Sequence, residues 1–77
     1  MTQLEKMLDD VRINKGMTRN EFAKNVIGVA YPTYMKIVKC PRECYIKMTI
    51  SKVAKVLGIS NTDVLRYGET EYNEKKE

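Results

Sequence analysis

Apolar residues recur at helical spacing along most of the chain, and no segment alternates as a half-buried strand would. Leu4, Met7, Leu8 and Val11 form one stripe, which predicts a first helix from Gln3 to Lys15. Thr2 can cap its start, and Gly16 offers the left-handed residue that closes a helix. Thr18 stands three residues before Glu21, the spacing of a capping box, and opens a second helix. There Phe22, Ala23, Val26 and Ile27 share an inward face, while Arg19, Asn20, Lys24 and Asn25 point out. Gly28 marks a turn. Pro32 suits a first helical position and biases the residue before it away from helical backbone. A third helix is therefore expected to start at Pro32, with Tyr31 just outside. Tyr34, Ile37 and Val38 form its apolar back; Thr33, Met35, Lys36 and Lys39 form its open face.

Lys39 to Tyr45 reads as a loop broken by Pro41. A fourth helix follows, from Ile46 or Lys47 to Leu57, with Ile50, Val53, Ala54 and Leu57 on its apolar side and Gly58 at its end. Ser60 and Asp63 repeat the capping signature, ahead of a short helix from Asn61 to Tyr67 that stops at Gly68. The last nine residues are polar and charged and are expected to fray. The pattern predicts an all-α bundle of five short helices: one domain over residues 1–68 and a tail over 69–77.

Size and charge narrow the function. Seventy-seven residues make one domain with a small core, so oligomerisation would help its stability. No apolar run approaches the roughly 20 residues needed to cross a bilayer. The N-terminal segment has no basic leader followed by an apolar stretch, so a cytoplasmic location is expected and no membrane association. Net charge is +4, but residues 12–55 hold ten lysines and arginines against two glutamates, a local +8. A concentrated basic zone attracts polyanions, since each cation on a phosphate releases condensed counterions.

Catalytic chemistry has little to work with. The chain has no histidine, no nucleophile elbow and no glycine-rich phosphate loop, so no enzyme is expected. Cys40 and Cys44 cannot close a tetrahedral zinc site alone, and a cytoplasmic chain keeps such a pair reduced. Neither a metal nor a cofactor is expected.

The second and third helices are the candidate for chemistry. A helix that reads DNA must be short, apolar behind, and able to present side chains of its first turns to base edges. The third helix meets these demands. Tyr31, Thr33 and Lys36 are the candidate base readers, with Met35 beside them and Pro32 limited to apolar contact. Lys36 can donate to guanine acceptors, and Thr33 can bond a base or touch a thymine methyl. Arg19 and Asn20, at the start of helix two, make a candidate phosphate clamp, with Lys39 and Arg42 gripping the backbone on the other side. An ordinary helical hairpin with a solvated basic face is the alternative.

Residues Leu4 to Leu65 resemble the Cro and lambda-repressor-like helix-turn-helix family. The likeness lies in Val11-Arg12, Lys15-Gly16-Met17-Thr18, Glu21-Phe22-Ala23, Gly28-Val29, Thr33-Tyr34 and Ile37, and in the closing segment Ile50 to Leu65. The resemblance implies a fold of four or five helices and a phage, plasmid or bacterial transcriptional regulator. It implies base contacts at Tyr31, Pro32, Thr33 and Lys36, and phosphate contacts near Arg19, Lys39 and Arg42. Three positions depart from the family pattern. The step from Ala23 to Gly28 is one residue longer, Ala30 stands where a serine or threonine often caps the recognition helix, and Cys40 replaces the glycine that commonly follows it.

The expected function is a sequence-specific, repressor-like regulator that binds operator-like, palindromic double-stranded DNA. The alternative is a protein-interaction module of the same fold, an antitoxin or adaptor that does not read DNA. A weak homodimer is also expected, through apolar area offered by Ile59, Val64, Leu65, Tyr67 and Tyr72.

Overall fold

The structure is a computed structural model that describes residues 1–72. Its elements are α1 (Gln3–Lys15), α2 (Arg19–Phe22) running on as a π-helical turn (Ala23–Ile27), α3 (Tyr31–Lys39), α4 (Lys47–Leu57) and α5 (Asn61–Gly68). No strand occurs among the described residues. The expected all-α bundle of five helices is the observed fold.

Local chemistry starts most of these helices. The Thr2 hydroxyl accepts from the Glu5 N–H at 3.1 Å, and the Glu5 carboxylate accepts from the Thr2 N–H at 2.8 Å. Thr18 and Glu21 form the same reciprocal box, at 3.1 and 2.9 Å. Ser60 accepts from the Asp63 N–H at 3.0 Å. Each box satisfies backbone donors that a helix start leaves without partners.

Amphipathic packing does the rest. Leu4 and Leu8 of α1, Phe22, Ala23 and Ile27, Tyr34, Ile37 and Val38 of α3, Ile50, Val53 and Ala54 of α4, and Val64 of α5 form one buried cluster. Each large apolar side chain buried this way contributes about 1.5–3 kcal/mol. The Phe22 and Tyr34 rings meet edge to face, 6.1 Å apart at 70°, and seat α3 on α2. The Thr2 hydroxyl, beyond capping α1, donates to the Val38 carbonyl at 3.1 Å and ties the end of α3 to the start of α1.

Several expectations need correcting. Helix α3 begins at Tyr31, not Pro32: Ala30 is the extended N-cap and its carbonyl accepts from the Tyr34 N–H at 2.9 Å. Proline costs nothing at the second helical position, because N–H groups in the first turn have no intrahelical acceptor. Gly68 does not close α5 in a left-handed conformation; it is the last helical residue, and Glu69 caps the end. Its role is close approach, since a Cβ built there would collide with the buried Pro41 ring.

The start of the tail is tied down where fraying was expected. Gln3 N–H donates to the Thr70 carbonyl at 2.7 Å, and Tyr72 N–H donates to the Met1 carbonyl at 2.9 Å. Thr2 and Glu71 form an isolated antiparallel bridge, and the N-terminal ammonium pairs with Glu71 at 3.1 Å. The remainder of the expected tail, residues 73–77, lies outside the described residues. Of the C-terminal apolar residues expected to offer a dimer surface, Leu65 and Tyr72 are half-buried. Val64 is fully buried, while Ile59 and Tyr67 pack against the core. Tyr72 lies under the Lys6 ammonium, 5.5 Å from the ring centre.

Candidate nucleic-acid interface

The five-residue step from Ala23 to Gly28 is a π-helical turn at the end of α2. Ala23 accepts from the Gly28 N–H at 2.7 Å and from the Val29 N–H at 2.9 Å. The first bond spans five residues instead of four, which is the bond of a π turn. Ala23 and Ile27 stay buried on either side of it, and exposed Lys24 and Asn25 carry the bulge outward. Gly28 closes the turn at φ 89°, a region costly for any residue with a Cβ.

Helix α3 is nine residues long and buries Tyr34, Ile37 and Val38. Pro32, Lys36 and Lys39 are exposed and fall on one outward stripe at helical spacing. Thr33 and Met35 flank it, both half-buried, and Met35 also packs against the core. Tyr31 is half-buried against the core at the edge of the stripe. The five candidate base readers therefore sit on one helix but not on one face. Pro32 and Lys36 are open, Thr33 and Met35 are marginal, and Tyr31 is turned toward α2.

The four candidate phosphate residues divide in the same way. Asn20 and Lys39 are exposed and, among the described residues, pair with no ionic partner. Arg19 is committed inside the protein: it donates to Asp9 through Nε at 3.2 Å and Nη2 at 2.6 Å. Arg12 donates to the same carboxylate at 3.2 Å and to the Met17 carbonyl at 2.9 Å. Burial pushes the Asp9 carboxyl up, but the bonds and charges of Arg19 and Arg12 outweigh it and hold the group below its ordinary value. Asp9 raises the Arg19 guanidinium in turn, with Tyr31 adding to the effect. Burial likewise pushes the Tyr34 phenol up. Arg42 is exposed but pairs with Glu69 across the end of α5.

Two open depressions flank the α3 stripe. One lies at its N-terminal end between Asn20, Lys24 and the Gly28–Pro32 segment. The other lies at its C-terminal end between Lys36, Lys39, Cys40, Glu43 and Cys44. Lys24 thus joins Asn20 beside the start of α3, a position that its outward place on helix two made available but that sequence reasoning did not single out. Cys40 and Cys44 are free thiols. Among the described residues no group of three or more potential metal ligands comes together.

No protein-family model, curated protein or solved structure matches this chain.

Proposed function

We propose that the protein is a sequence-specific duplex DNA-binding regulator of the Cro and repressor kind, in which α3 reads the major groove. One observation carries the reading. The outward stripe of a short helix with an apolar back holds Pro32, Lys36 and Lys39 and no carboxylate. That is the surface a groove lined by base acceptors and phosphates selects. In this reading Lys36 donates to a base edge, and Pro32 and Thr33 supply apolar and hydroxyl contacts. Lys39, Asn20 and Lys24 hold phosphates on the two sides. Arg19 braces α2 through Asp9 and acts by positioning Tyr31. The regulator is of phage or mobile-element type, works in the cytoplasm, and has no catalytic role. It pairs on DNA, because a domain this small reads few base pairs alone.

Titration of a labelled duplex at several salt concentrations tests the reading against the adaptor alternative. Binding should weaken steeply with salt, and Lys39→Ala should lower the slope of log K against log salt by about one. A salt-independent isotherm, or no duplex binding at low salt, would contradict it.

A further inference from the structure

Outside the α3 stripe, a group of exposed apolar side chains lies at the start of α4. Met48 is 84% exposed, and Tyr45 and Ile46 just before it are 47% and 44% exposed. Of the five large hydrophobics exposed among the described residues, these three are nearly contiguous in the chain. Isolated exposed apolar residues are ordinary, but a cluster marks a contact surface. Lys47, Met48, Ser51, Lys52 and Lys55 line one shallow depression on the same side of the helix. Among the described residues none of these three lysines has a carboxylate partner, and residues 44–62 contain no Asp or Glu at all. The opposite side of α4, Ile50, Val53 and Ala54, is buried, and Ser51 at the edge of the depression accepts from the Asn61 amide at 3.0 Å, which leaves Met48 and the lysines as the open part of the outer side.

We propose that this face, Met48 set among Lys47, Lys52 and Lys55 with exposed Tyr45 and Ile46 just before it in the chain, docks an acidic segment of a partner protein that inserts an apolar anchor beside Met48. Three occupants compete, and the chemistry separates them. A second copy of this chain in two-fold symmetric pairing would set lysines against lysines, which repels. Duplex DNA would satisfy the lysines but gain nothing from the apolar cluster, since phosphates are its nearest surface. An acidic segment with one or two large apolar side chains satisfies both. Its carboxylates also suit the start of α4, where Ile46 caps the helix without a side-chain acceptor. The proposal does not rest on the DNA reading, because α3 takes no part in it.

Selection of displayed random linear peptides against the full chain tests it. Enriched peptides should combine Asp or Glu with Leu, Ile, Phe or Met. A synthetic copy of the best one should bind Met48→Glu and Lys52→Glu about tenfold or more weakly, and Lys36→Glu unchanged. All three positions are exposed, and circular dichroism with a thermal melt confirms that each variant is folded. Three results would overturn the proposal. The first is enrichment of no acidic–apolar motif, or of peptides that bind Met48→Glu as well as wild type. The second is a dimer in sedimentation that Met48→Glu abolishes, which gives the face to a second copy. The third is loss of duplex affinity in Met48→Glu without any peptide binding, which gives it to DNA.

Discussion

At the scale of single residues, Asp9 ties α1 to α2. Its side chain is nearly buried, and three guanidinium bonds from Arg12 and Arg19 converge on it from two helices. Asp9→Asn keeps the shape but removes the charge those bonds need, and should cost about 1.5–3 kcal/mol at neutral pH. The folded carboxyl sits below its ordinary pKa of 3.8, so its contribution is complete above that value and fades as pH falls through the lower folded value. Urea melts at pH 7 and at progressively lower pH should show the wild type and Asp9→Asn converging in acid. A constant gap across that range would mean the charge contributes nothing. Gly68 acts through space rather than through backbone angle. Gly68→Ala drives a methyl into the Pro41 ring and should cost about 1–3 kcal/mol by denaturant titration, whereas a backbone requirement alone would make alanine, a better helix former, stabilising.

At the scale of elements, the π turn is the link between α2 and α3. Removing one exposed residue of the bulge, Asn25, should convert the turn to regular helix while leaving Ala23 and Ile27 inward. The deletion variant should melt at or above the wild-type temperature, because no buried contact is lost. It should bind the wild-type target poorly, because α3 is re-aimed. Unfolding of that variant would show that the bulge is part of the core. Much of this level was legible in the sequence: the capping pairs Thr18–Glu21 and Ser60–Asp63, the apolar stripes, and the span of α1 all follow from local chemistry. The five-residue step from Ala23 to Gly28 was visible too, but not its hydrogen bonding. What local pattern could not supply was contact between distant residues. Arg19 read as an open cation because Asp9, ten residues away, lies on another helix. Arg42 hid its pairing with Glu69, Gly68 its contact with Pro41, and residues 70–72 their bonds to residues 1–3. The site suffers most from this limit. Helical spacing put Lys36 and Lys39 on the open face correctly, while Tyr31 and Met35 look outward only until their packing is seen.

At the scale of the whole molecule, charge and packing divide the surface into regions with different work. The two ends of the described chain pair with each other, and through Thr2 they reach the last turn of α3, so the C-terminal end of the proposed reading helix is tied down. Lys24, Lys36 and Lys39 are left open, while Arg12, Arg19 and Arg42 are paired to carboxylates. That separation makes one prediction sharper than any other: sequence discrimination should depend on Lys36. Selection of bound duplexes from a random pool, run in parallel on the wild type and Lys36→Ala, measures it directly. The account predicts that wild type enriches a defined site, an inverted repeat if the protein pairs on DNA. It predicts that Lys36→Ala binds that site about 1–3 kcal/mol more weakly and loses preference at one base pair of each half-site. No enrichment by the wild type, or an identical site and affinity for Lys36→Ala, would contradict it.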